Sequence, residues 1–150
     1  MENLYAVSEV KLTYKTKQKA SERPKVNDSE TTYKLLLKCF DPDTIELRES
    51  FKVLLLNRAN KVLGVMNVSD GGITGTFVDA KLIMQSVILS NATQIIMAHN
   101  HPSGVCEPTA QDCFITNRVK QACELLDVSL IDHLIISPES YYSYSDDNRL

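Results

Sequence analysis

No apolar run in this 150-residue chain approaches the roughly 20 residues that a membrane-spanning helix needs, so no membrane segment is expected. The N-terminal stretch MENLYAVSEV lacks a charged region followed by an apolar one, and no secretory signal is expected either. The four cysteines, Cys39, Cys106, Cys113 and Cys123, form no CxxC pair. Without a signal segment they read as reduced thiols, which points to the cytoplasm. Cys113 and Cys123 fall in a predicted helix and read as small core residues. No GxxxxGK[ST] and no GxGxxG is present, so the stretch Ser69–Gly75 reads as a turn or loop beside a site and not as a phosphate cradle. There are no internal repeats. Positive charge is not in excess: the net charge of −3 gives no general field for nucleic acid. It is unevenly spread, however. Lys11, Lys15, Lys17, Lys19, Arg23 and Lys25 share a stretch with one acid, Glu22, which reads either as a solvated edge or as a contact for nucleic acid or another acidic partner.

What is present suits one domain with a real core, since 43% of the residues are hydrophobic. Val10, Leu12 and Tyr14 alternate with Lys11, Thr13 and Lys15, the pattern of a half-buried strand. A polar stretch over residues 17–28 follows, so residues 1–28 are expected to be a strand and arm ahead of a globular domain over residues 29–150. A helix is predicted from Ser29 through Tyr33, Leu36, Leu37 and Phe40, ending before Asp41-Pro42. Phe51–Leu56 and Lys61–Met66 read as a hairpin around Asn57–Asn60. Asp79 can cap a helix over 80–89 with Leu82, Ile83, Val87 and Leu89 on its apolar face, and Asn91 suits its left-handed stop. A further helix is predicted from Thr109 to about Asp127, with Phe114, Ile115, Val119, Ala122, Leu125 and Leu126 facing inward. Two strands, 130–136 and 141–144, finish the chain. The mixture predicts an α/β fold, a mixed sheet flanked by helices.

Two of only three histidines stand together in AHNHPSG, residues 98–104, after the apolar run QIIMA. In a strand, residues i and i+2 share a face, so His99 and His101 project together, and Pro102 biases His101 toward extended backbone. Alone, the pair reads equally as surface histidines or as two metal ligands. Thr109 can cap the next helix with Asp112 at its third position, a capping box with Asp in place of Glu. The short connection brings Asp112 near both imidazoles, and two His, one Asp and an open fourth position form the ligand set of a catalytic zinc. Such a centre also needs a proton acceptor, for which Glu46 and Glu49 are both available.

His99-Asn100-His101-Pro102, six residues, then Thr109-Ala110-Gln111-Asp112 resembles the JAMM (MPN+) metalloprotease signature. With FKVLLLNRANKVLG and LLDVSLIDHLIIS, the chain over roughly residues 30 to 145 is similar to the RadC family, historically labelled as DNA repair proteins. The resemblance implies the JAB/MPN fold, of cytidine-deaminase-like architecture, with one zinc ion per chain held by His99, His101 and Asp112. It assigns the proton acceptor to Glu49 in RESFKV. It puts Thr109 where the family carries a serine whose side chain polarises the substrate carbonyl or steadies the tetrahedral intermediate. Family members often carry a helix-hairpin-helix DNA-binding segment; with about 28 residues ahead of the first helix, none is expected here. His133 reads as a core histidine or as a hydrogen-bonding neighbour of the zinc ligands, together with Asp132. Cys106 is a candidate extra ligand or redox-sensitive thiol. The expected function is a zinc-dependent metallopeptidase or isopeptidase that attacks a peptide or protein substrate through zinc-bound water. The alternatives are a DNA-repair or mobile-element accessory protein that binds DNA or a protein partner, and, third, a nuclease.

Overall fold

The computed structural model describes residue 8 and residues 15–72 and 75–150. The alternating strand expected around Val10, Leu12 and Tyr14 lies outside the described residues, as does part of the glycine-rich loop. A single 3-10 turn, Ala20–Glu22, precedes helix α1 (Ser29–Leu37). Strands β1 (Ser50–Leu56) and β2 (Val62–Asp70) follow, then α2 (Ala80–Ser90), β3 (Gln94–Asn100), α3 (Ala110–Leu125), β4 (Ser129–Ile136) and β5 (Tyr141–Ser143). Among the described residues the strands form one five-stranded sheet in the order β2-β1-β3-β4-β5. β1 is antiparallel to β2 and β3, β3 is parallel to β4, and β4 is antiparallel to β5. This is the mixed sheet flanked by helices that the sequence predicts. No helix of the described residues is long and apolar enough to cross a membrane.

The alternation of side chains along the strands divides the core into two layers. Leu54, Leu56, Ile96, Ala98, Leu134 and Ile136 pack with Leu36 and Phe40 on one face. Phe51, Val53, Leu55, Ile95 and Met97 pack with Ile83 and Val87 of α2 and Ile115, Val119 and Cys123 of α3 on the other. Strand β3 is buried at every position except Gln94, as a strand covered on both faces should be. Each fully buried leucine or isoleucine here contributes about 2 kcal/mol through removal from water. Parity along β3 and β1 therefore carries His99 and Glu49 to the α2–α3 face. The stretch Pro24–Val26 lies against the hairpin: the Val26 N–H donates to Asn60 O, and the Val62 N–H to Pro24 O.

Several boundaries and faces differ from the sequence expectation. α1 stops at Leu37; the Cys39 and Phe40 N–H groups donate to Leu36 and Leu37 carbonyls in turns, while Phe40 stays in the core from outside the helix. β2 runs on to Asp70, paired with Ser50. On α2, Ile83 and Val87 are buried but Leu82 and Leu89 are exposed. On α3, Phe114, Leu125 and Leu126 face solvent, because the buried stripe is Asp112, Ile115, Thr116, Val119 and Cys123. Two polar residues hold positions that an apolar-face count assigns to neighbours. Cys113 is only half-buried, beside Tyr144 Oη and the Arg149 guanidinium.

Candidate metal centre

His99 is the penultimate residue of β3 and is fully buried. It stands in register with Phe51 of β1, and the two rings stack at 5.6 Å between centroids with 8° between planes. His101 lies just past the strand, where its N–H still donates to Ile136 O as if the β3–β4 pairing continued. The chain then turns: the Gly104 N–H donates to His101 O across Pro102 and Ser103, and Gly104 takes φ +81°, a conformation that glycine adopts without strain. That turn aims the Val105 carbonyl at His101 Nδ1, 2.8 Å away. The carbonyl can only accept, so Nδ1 carries a proton and Nε2 is the nitrogen that faces the site.

Asp112 arrives from the first turn of α3. Thr109 is the N-cap, and the capping box is complete: Thr109 Oγ1 accepts the Asp112 N–H, and Asp112 Oδ2 accepts the Thr109 N–H at 2.8 Å. The same carboxylate meets both imidazoles, with Oδ1 at 3.0 Å from His99 Nε2 and Oδ2 at 3.4 Å from His101 Nε2. The two Nε2 atoms are 3.1 Å apart. Burial acts to raise the Asp112 carboxyl, but hydrogen bonds from His101 and His99 and the Thr109 N–H hold it well below the usual carboxylate range. The His101 imidazole is raised, first by its contact with Asp112.

Glu49 closes the group from the β1 side, with Oε1 3.7 Å from His99 Nε2. Its backbone extends the hairpin ladder: its N–H donates to Gly72 O, and its carbonyl accepts the Gly71 N–H at 2.7 Å. Gly71 is needed where Gly75 and Thr76 pack against this ladder, since a Cβ there would stand 2.2 Å from Gly75 O. Burial pushes the Glu49 carboxyl up, against the neighbouring imidazoles.

Glu49, His99, His101 and Asp112 each offer one ligand atom, all within 4.8 Å of one another. Atoms held about 2.0–2.1 Å from a tetrahedral zinc lie about 3.3 Å from each other. The distances among His99, His101 and Asp112 match that spacing, and Glu49 stands slightly outside it. Imidazole and carboxylate donors suit zinc chemically, so the residues present fit the ion. The group lies on a cleft of about 550 Å³ whose walls include Thr109, Phe77, Phe114 and Arg118. Phe77 and Phe114 are 81% and 58% exposed there.

The other candidates separate. His133 is fully buried and its Nε2 stands 2.9 Å from His99 Nδ1. Asp132 points away: its carboxylate accepts the Ser143 hydroxyl, the Ser145 N–H and the His133 N–H, fastening the C-terminal segment. Cys106 Sγ contacts Ser140 and does not join the ligand group. Glu46 likewise lies outside it. Sequence reasoning missed two residues. Asn100, between the two histidines, is fully buried: its Oδ1 accepts the Ser50 N–H at 2.8 Å, and its Nδ2 donates to Ile45 O and Arg48 O at 2.6 and 2.9 Å. It thus pins the segment that carries Glu49. Thr116 lies behind His133 with its Oγ1 2.7 Å from His133 Nδ1. The one signal of each is a polar residue inside a buried stripe.

Comparison with known proteins agrees with this geometry. A sequence model of the RadC-like JAB domain matches residues 26–149. A UPF0758 protein of Flavobacterium johnsoniae is 46% identical over 99 residues, 66% of this chain and 43% of the relative. One of Porphyromonas gingivalis is 38% identical over 135 residues, 89% of this chain and 58% of the relative. One of Haemophilus influenzae is 34% identical over 143 residues, 95% of this chain and 63% of the relative. The chain thus spans between 43% and 63% of the length of these relatives. On a match that covers most of its residues and includes the whole ligand group, the chain belongs to the family of RadC-like JAB domains.

Proposed function

We propose that the protein is a zinc-dependent hydrolase of the JAMM type, a metallopeptidase or isopeptidase. The observation that carries this reading is the convergence of His99, His101 and Asp112 at zinc-ligand spacing, with the Glu49 carboxylate beside them on an open cleft. Zinc, when bound, supplies a Lewis acid that lowers the pKa of water and stabilises an oxyanion. His99, His101 and Asp112 hold it. Glu49 takes the proton of the attacking water and returns it to the leaving amine. Burial supports that role by bringing its proton affinity closer to neutrality. The Thr109 oxygen accepts the cap bond, which leaves its O–H proton free to donate to a carbonyl oxygen in the cleft. Phe77 and Phe114 add exposed apolar surface to the cleft walls, and Arg118 adds a cation that can receive a carboxylate. These features suit a peptide with a bulky apolar residue near the cleaved bond and an acidic group beyond it.

The test pairs metal analysis with a Glu49→Gln variant and a peptide library. The wild type is expected to carry one zinc per chain. The variant should keep that zinc and lose hydrolysis by about 100-fold or more. A variant that cleaves at the wild-type rate, or a wild type without stoichiometric zinc, overturns the reading. Arg118→Glu should shift the library preference from acidic toward basic peptides.

A further inference from the structure

The ring of His133 hydrogen-bonds to no carboxylate, yet it is fully buried between the rings of Phe51, His99 and Tyr144. Both of its nitrogens are engaged, Nδ1 by Thr116 Oγ1 at 2.7 Å and Nε2 by His99 Nδ1 at 2.9 Å. The direction of each bond follows from its far end. The Thr116 hydroxyl lies 2.6 Å from the Asp112 backbone carbonyl, and a carbonyl can only accept. Thr116 has one proton and spends it there. Its oxygen must therefore accept from His133, so the His133 proton sits on Nδ1. A second proton on Nε2 would leave an imidazolium buried without a counter-charge in contact, an arrangement that proteins avoid. His133 Nε2 is then a lone pair, and it accepts the His99 Nδ1–H. The Nδ1 nitrogen of His99 is thereby committed, and its Nε2 is the atom that stands 3.0 Å from Asp112 Oδ1.

We propose that Thr116 and His133 form a one-way hydrogen-bond relay that locks His99 in the tautomer whose Nε2 can bind a metal. The relay starts on the backbone carbonyl of Asp112 and ends on the imidazole facing the Asp112 carboxylate. It thereby ties the register of α3 to the donor state of β3. His101 reaches the same tautomer by a separate device, the Val105 carbonyl. His133 and Thr116 are positioning residues, since neither touches the metal position.

The inference rests on reading His99 as a zinc ligand, and its test does not depend on hydrolysis. Nitrogen-15 NMR of the imidazoles in metal-free protein reads the tautomers directly, and chelator competition reads zinc affinity. The wild type should show His99 and His133 each protonated on Nδ1. Thr116→Val removes the acceptor at nearly constant shape. It should mix the His99 tautomers and weaken zinc binding by about 10- to 100-fold, the usual effect of losing a ligand's hydrogen-bond partner. Thr116→Ser should restore both. His133→Gln, whose amide oxygen can still accept from His99, should retain more zinc affinity than His133→Phe. If a histidine variant does not fold, the Thr116 pair decides the matter. A wild-type His99 without a proton on Nδ1, or a Thr116→Val protein with wild-type tautomers and zinc affinity, overturns the relay. A protein that binds zinc through the relay but cleaves no peptide would sink the proposed function and leave the relay standing.

Discussion

Asn100 has both N–H bonds and its carbonyl engaged, all with backbone groups around residues 45–50. Asn100→Ala would leave a buried Ser50 N–H and two carbonyls without partners, at a cost of about 2–4 kcal/mol. Urea denaturation should show that loss, and turnover should fall with it, because Glu49 sits in the released segment. An unchanged midpoint and an unchanged rate would contradict the pinning role. Thr109→Ala removes the cap of α3 and should cost about 1 kcal/mol, read as a lower Tm. Asp132 offers a test in pH. Burial raises its carboxyl above the ordinary value of 3.8 against three hydrogen bonds. The folded state then holds the proton more tightly than the unfolded state. Its contribution to stability is complete below pH 3.8 and is lost as pH rises through the raised folded value. Asp132→Asn, which does not titrate, should therefore gain in Tm relative to wild type between pH 4 and pH 7; a constant difference would sink this account. At this scale the convergence of the candidate metal-binding group was legible because its code is local: strand parity for His99 and His101, cap spacing for Asp112. Asn100 and Thr116 were not, since their partners lie up to 55 residues away in the sequence and only folding brings them together.

The elements were read with the correct types and order over the described residues. The Asn91 stop of α2 takes the expected left-handed φ of 56°. Helix faces were read less well. An apolar-face count cannot anticipate that Asp112 and Thr116 take buried positions on α3, and it therefore turns Phe114 inward when it faces the cleft. The end of β2 was also hidden, because its last residues, Ser69 and Asp70, are held by pairing with Phe51 and Ser50 and not by an apolar pattern of their own. The His101–Gly104 turn yields a prediction at this scale. Gly104→Ala forces a Cβ onto φ +81° and should cost about 1–2 kcal/mol. Space is not the obstacle, since no atom lies within 4 Å of that Cβ, so the effect measures backbone strain alone. It should also weaken zinc binding, by loosening the Val105 carbonyl that orients His101.

For the whole molecule, the candidate metal-binding group draws its side chains from β3, α3 and the connection between them, so zinc bound there as proposed would clamp the fold. Free zinc at 100 times its Kd should add about 2.7 kcal/mol to folding stability, seen as a Tm that climbs with added zinc and falls with chelator. Glu49→Gln should preserve most of that climb. The central position of β3 has one more consequence. Its amides are covered by β1 on one edge and β4 on the other, with packed layers on both faces. In hydrogen–deuterium exchange the amides of Met97 to His99 should be among the slowest in the chain, opening only with global unfolding. The first turn of α3 lies at an element end with exposed neighbours and should open far more often. Metal would then leave by fraying at Asp112 while the histidine side of the site stays closed, so zinc release should be faster than unfolding and should follow the exchange rate of α3's first turn.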